Sequence, residues 1–155
     1  MEETVLHILC SFIGTLGFSM YYNVGVRISA LNAFCAMLGY ASYVAVLELS
    51  GSIFWSNFAI AIFMTVLSEL AARRFKVPTT MLLVPMLFPE IPGGDLYNMV
   101  WNLFIGETGL SLRYAIELMD IIAAMNLGIV LVTTVVKIYM NISDRLRYGH
   151  YEGYR

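Results

Sequence analysis

The sequence is short of charge. Asp, Glu, Lys and Arg make up 13% of its 155 residues, against about a quarter in a soluble domain. Hydrophobic residues make up 59%, and the mean hydropathy is +0.75. It has two cysteines, Cys10 and Cys35, too few for a disulfide framework, and they are expected to be unpaired packing residues. Only two histidines occur and only His7 falls in an apolar stretch, which argues against a metal site. No basic stripe points to nucleic acid. There is no P-loop, HExxH, CxxC or Ser–His–Asp set, so an enzyme reading has no nucleophile–base pair to rest on. Proline is absent from the chain except in one stretch, where Pro78, Pro85, Pro89 and Pro92 all lie together with Gly93–Gly94.

What is present is apolar sequence in runs long enough to span. A crossing helix needs about 20 mostly apolar residues. The pattern predicts an all-α, polytopic integral membrane protein of one domain with five spans, over about 4–22, 29–49, 52–72, 79–104 and 114–136. Residues 137–155 form a tail. The N-terminal Met-Glu-Glu is acidic where a signal peptide is basic, so the first span is expected to be retained. Five spans put eight of the nine Lys/Arg on one side, with Arg113 alone on the other. Cytoplasmic loops carry the basic excess, so the expected orientation is N-terminus out and C-terminus in the cytoplasm. Arg27, Arg73, Arg74 and Lys76 then serve as inner-face anchors.

The fourth segment is the unusual one. Each proline removes a backbone donor and clashes with the preceding turn, and Gly93–Gly94 loosens the chain further. A helix broken by Pro85, Pro89 and Pro92 is expected, with half-helices near 79–88 and 95–104 and an irregular join over 89–94. Irregular backbone at membrane depth survives only inside protein or beside water. The second half-helix would present free N–H groups and a positive dipole end, an anion site. Asp95 either caps that half-helix or handles substrate or protons. Glu90 is either solvated near a surface or a partnered or protonated group within the bilayer. Asp95, Asn98 and Asn102, at i, i+3 and i+7, share one face, for helix packing or for lining a path. On the fifth span Glu117 suits an interface, whereas Asp120, deeper in, is either a proton carrier or part of a structural pair. Glu69 and Arg73, at i and i+4, read as an interfacial ion pair. Small residues at Gly14/Gly17, Ala36/Gly39 and Ala124/Gly128 offer close helix approach.

The runs FSMYYNVGVR (18–27) and SELAARRFKVPTTMLLVPMLFPEIPGGDLY (68–97) resemble the threonine/serine exporter family, in its small-subunit, C-terminal-half form. Asn23, Val24 and Arg27 match that family's turn, with Gly25 standing where its pattern has proline. Ala72, Arg73, Lys76, Pro78, Pro85, Pro89, Pro92, Gly93 and Tyr97 match its later signature, of which Glu90 and Asp95 are not part.

The resemblance implies a subunit of a two-component secondary exporter in the bacterial inner membrane. It implies a larger partner subunit of the same family as a separate chain, no cofactor, and proton coupling. The cargo would be a small carboxylate metabolite, a threonine- or serine-like amino acid or a dicarboxylate such as succinate. On that reading Gly93, Gly94, Asp95, Tyr97, Asn98 and Asn102 form the substrate site, and Glu90, Asp95 or Asp120 carries the proton. The alternative is a structural or regulatory subunit that docks and stabilises a transport-competent partner. A homo-oligomer is also expected, on the general prevalence of symmetric assemblies.

Overall fold

The computed structural model describes residues 2–148, with side chains described from residue 4 to 142. Arg155 and the rest of the tail beyond Tyr148 lie outside the described residues. Six α-helices follow in order: α1 (Glu2–Tyr21), α2 (Val26–Ser50), α3 (Ile53–Phe75), α4 (Thr79–Leu87), α5 (Gly93–Phe104) and α6 (Thr108–Tyr148). A single 3-10 turn, Phe88–Glu90, lies between α4 and α5. No strand occurs among the described residues. Helices α1, α2, α3 and α6 are each long and apolar enough to cross a membrane, and the chain is a polytopic membrane protein.

The helix ends follow from local chemistry. Asn23 takes a left-handed conformation between α1 and α2, which asparagine tolerates better than most residues. Gly51 does the same after α2, and its N–H closes on the Leu47 carbonyl. Helix α6 is longer at both ends than its apolar core requires. It starts just after the positive-φ turn at Gly106. It continues past Val136 because no glycine or proline intervenes before residue 149.

Register follows from a few contacts. Helices α2 and α3 form an antiparallel hairpin in which Gly39 faces Met64. Helix α6 runs parallel to α3. Gly128 meets Ala61, and Arg73 Nη2 donates to Met140 Sδ at 3.0 Å, so the offset is 67 in both pairs (128 less 61; 140 less 73). Asp120 is therefore level with Ile53, where α3 begins. The α6 residues from Thr108 to Met119 rise beyond the α2–α3 hairpin, by about 18 Å at 1.5 Å per residue. Helix α5 packs against this upper part of α6, and Ser111 Oγ donates to the Met99 carbonyl at 2.9 Å.

Helix α4 rises from the end where α3 stops into the groove between α2 and α3. Leu82 and Met86 are fully buried there with Cys35, Ala36, Ile60 and Met64. By contrast, α5 has no buried residue. Arg27, Arg73, Arg74 and Lys76 all lie at one end of the bundle, where α2 begins and α3 ends. It is called the basic end below.

Candidate functional site

The site is built around the proline stretch. A proline at position i cannot donate to the carbonyl at i−4. Pro85, Pro89 and Pro92 therefore leave the Met81, Pro85 and Phe88 carbonyls without their helical donors. Each finds a substitute. The Asn32 side chain of α2 reaches Met81 O at 3.4 Å. The Phe88 N–H turns back to Pro85 O, and the Ile91 N–H to Phe88 O at 3.3 Å. The last two are short-range closures that tighten the chain into the 3-10 turn. The first is a tertiary contact that ties α4 to α2.

Helix α5 begins at Gly93, two residues earlier than the spacing suggests, with Pro92 in the capping position and no side-chain cap. Asp95 sits in its first turn rather than at the cap. The Leu96 N–H reaches back to Pro92 O at 3.1 Å, which leaves the Gly94 and Asp95 N–H groups as the orphan donors of a helix start. Nothing lies within 4 Å of a side chain placed on Gly93 or Gly94.

Glu90 ends the turn. It is buried, at 9% exposure, and its Oε1 has no hydrogen-bond partner. Two cavities flank the turn. One, of about 220 Å³, lies on the α1–α2 side and is lined by His7, Cys10, Ser11, Tyr40, Phe88 and Pro89. The other, of about 340 Å³, lies between Ile91, Pro92 and Leu96 and the middle of α6, including Ile122 and Asn126. Phe18 of α1 stacks on Phe88 with ring centroids 4.0 Å apart, which seats the turn against α1.

The other residues singled out by the sequence are distributed as follows. Asp95, Asn98 and Asn102 are half-buried along one side of α5, and Asn102 Nδ2 donates to the Asn98 carbonyl at 2.7 Å. Tyr97 lies on a different side of the helix, 65% exposed and stacked on Trp101. Asp120 is exposed on α6, level with the start of α3. Glu69 and Arg73 approach to 3.9 Å at the basic end. Arg113 pairs with Glu117 at 3.1 Å on the protruding part of α6. Of the three small-residue pairs, Ala36/Gly39 and Ala124/Gly128 are buried or closely packed, whereas Gly14 and Gly17 face open space.

Sequence reasoning missed a polar face on α1 and α2. Ser11, Thr15 and Ser19, at i, i+4 and i+8, are all buried. Asn32 is fully buried, and its Nδ2 also reaches Ser19 Oγ at 3.2 Å. Three buried side-chain atoms among the described residues lack partners: Thr15 Oγ1, Asn32 Oδ1 and Glu90 Oε1. All three belong to the region where α1, α2 and the proline stretch meet. The i, i+4, i+8 spacing of hydroxyls was the available signal. His7, the one histidine in an apolar stretch, stands beside Tyr40, ring centroids 6.1 Å apart.

Comparison with curated proteins and with solved structures returns no match. The family model described as "Threonine/Serine exporter, ThrE" matches residues 7–135, a stretch that includes the polar α1–α2 face, the broken segment and most of α6, and the chain belongs to the threonine/serine exporter family.

Proposed function

We propose that this chain is the membrane subunit of a two-component secondary exporter, and that the α4–turn–α5 segment is the fourth of five crossings and a discontinuous one. Membership of an exporter family supplies the transport role. The observation that carries the finer reading is Glu90, a buried carboxyl with an unpartnered oxygen, at a proline break flanked by two cavities. Buried polar groups without partners are rare in folded proteins, and an ionisable group within a membrane bundle marks a path or a relay.

In this reading the cargo is a small carboxylate, either a hydroxy amino acid or a dicarboxylate. The unpaired N–H groups at the start of α5, beside Gly93–Gly94, are an anion-attracting station on its path. Of the three carboxyls considered for the coupled proton, Glu90 is favoured, because Asp95 is half-buried and Asp120 exposed. The basic end faces the cytoplasm of a bacterial cell, and a larger family subunit supplies the rest of the path.

The test is export of labelled threonine, serine and succinate from cells carrying this chain, the larger subunit or both. Flux that requires both chains, and that Glu90→Gln removes without loss of membrane insertion, is the expected result. Full flux with the larger subunit alone would make this chain a docking subunit instead.

A further inference from the structure

We propose that the cargo is held on the α1–α2 side of the break, in the cavity lined by His7, Ser11 and Tyr40, and that it leaves or enters along Thr15, Ser19 and Asn32. This rests on the transport reading above and adds to it a site that the proline motif does not reveal.

Three observations converge. First, the cavity has the right size and chemistry. About 220 Å³ is room for about seven waters at ~30 Å³ each, the bulk of a solute with about eight non-hydrogen atoms. Its polar wall is one imidazole and two hydroxyls, from His7, Ser11 and Tyr40. The Tyr40 hydroxyl can donate to a carboxylate, and Ser11 Oγ, which donates to the Ile8 carbonyl at 2.8 Å, can accept from an ammonium or hydroxyl group. The remaining wall is apolar, from Phe88, Pro89 and Gly14, as small-molecule sites generally are.

Second, the cavity is continuous in sequence with a buried polar face. Ser11 is one turn of α1 from Thr15 and two from Ser19, all facing inward. Helix α1 runs from the cavity toward the basic end, so these hydroxyls descend in that direction. Asn32 meets the last of them from α2.

Third, the unpartnered atoms fall here. Thr15 Oγ1 and Asn32 Oδ1 lie on this face, and Glu90 Oε1 belongs to the turn that walls the cavity. Stripes of small polar residues commonly serve helix packing in membranes. In that role their hydroxyls are satisfied, as Ser56 and Thr65 of α3 are by the Ser52 and Ala61 carbonyls. On the α1 face Ser11 keeps to that pattern, its Oγ donating to the Ile8 carbonyl at 2.8 Å, whereas Thr15, one turn further on, departs from it.

The chain carries its own reporter. Cys10 is exposed and lines the cavity, while Cys35 is buried. The experiment is alkylation of Cys10 by a small maleimide in the full-length Cys35→Ala chain, in nanodiscs, alone and with the larger subunit. L-threonine, L-serine and succinate are the probes. At tenfold excess over Kd, mass action leaves about a tenth of the sites free, so the expected slowing is about tenfold. Tyr40→Phe and Ser11→Ala are expected to remove the protection, while the rate without ligand reports that the cavity keeps its shape.

Transport is measured on the same proteins reconstituted into sealed vesicles. Flux without protection of Cys10 overturns the assignment, and so does the absence of both. Protection lost on Asn102→Ala but retained on Tyr40→Phe overturns it too, by placing the cargo on α5. Protection without flux sustains the site and removes the exporter reading instead.

Discussion

Two seams of this bundle were built by different rules. Where α3 meets α6, small residues bring the helices close. A side chain on Gly128 would come within 2.8 Å of the Ala61 Cβ and 3.0 Å of the Phe58 carbonyl oxygen. The polar residues of α3 turn inward onto their own helix, with Asn57 Nδ2 donating to Ile53 O at 2.8 Å and Thr65 Oγ1 to Ala61 O at 2.6 Å. Where α1 and α2 meet the proline turn, Gly14 faces open space, a cavity remains, and the three unpartnered polar atoms are found. The comparison teaches that the α3–α6 seam holds the fold together. The α1 side forgoes part of its packing and hydrogen bonding, which the cargo site proposed there would require.

Three substitutions test that contrast directly, and two outside the seams set its scale. The largest effect belongs to the closed seam. Gly128→Leu would drive a side chain into the α3 backbone, and a loss of about 3 kcal/mol or more is expected. Denaturant titration in detergent checks it, and a stable Gly128→Leu protein would show that the seam is not close-packed.

Asn32→Leu comes next. It strips Met81 O of its substitute donor and is expected to cost about 1–3 kcal/mol. The sharper form is a double-mutant cycle. Pro85→Ala returns the backbone N–H that Met81 O lacks, so most of the Asn32→Leu loss should be recovered in that background. Simple additivity of the two would refute the account of the proline.

Glu90→Leu has the opposite sign. Removing a buried, unpartnered carboxyl is expected to leave stability unchanged or raise it by about 1–2 kcal/mol, while export is lost. A strongly destabilised Glu90→Leu chain would mean that the carboxyl has a structural partner.

Gly25→Pro is a smaller change, outside both seams. Gly25 has φ −55° and ψ 145°, open space for a side chain, and the place that the family pattern gives to proline. A gain of about 0.4–1 kcal/mol is expected from a less flexible unfolded chain, read as a raised melting temperature. Smallest of all is Arg113→Ala. The Arg113–Glu117 pair is largely exposed, so less than about 1 kcal/mol is expected, and a double-mutant cycle with Glu117→Ala would measure it.

The legible part of the fold was the part governed by local rules. Apolar runs of sufficient length gave the membrane helices, and the placement of Arg27, Arg73, Arg74 and Lys76 gathered one end. The break was legible because proline and glycine act on their own backbone wherever they sit. The α1 face went unread, since hydroxyls at helical spacing such as Ser11, Thr15 and Ser19 do not stand out from ordinary packing residues of a membrane helix. Sequence placed Tyr97 with Asn98 and Asn102, yet one residue is a 100° rotation of the helix, and Tyr97 turns away from them.

An all-helical membrane chain with one broken segment follows from local chemistry alone, because hydrocarbon demands internally satisfied backbone and proline denies it. Which groups stand beside the break follows from how the helices pack. His7 and Tyr40 are 33 residues apart by number and meet because α1 and α2 are antiparallel. Asn32 and Met81 are 49 apart and meet because α4 fills the α2–α3 groove. Such pairings depend on helix register, which is set by the packing of distant side chains and is not written at either position.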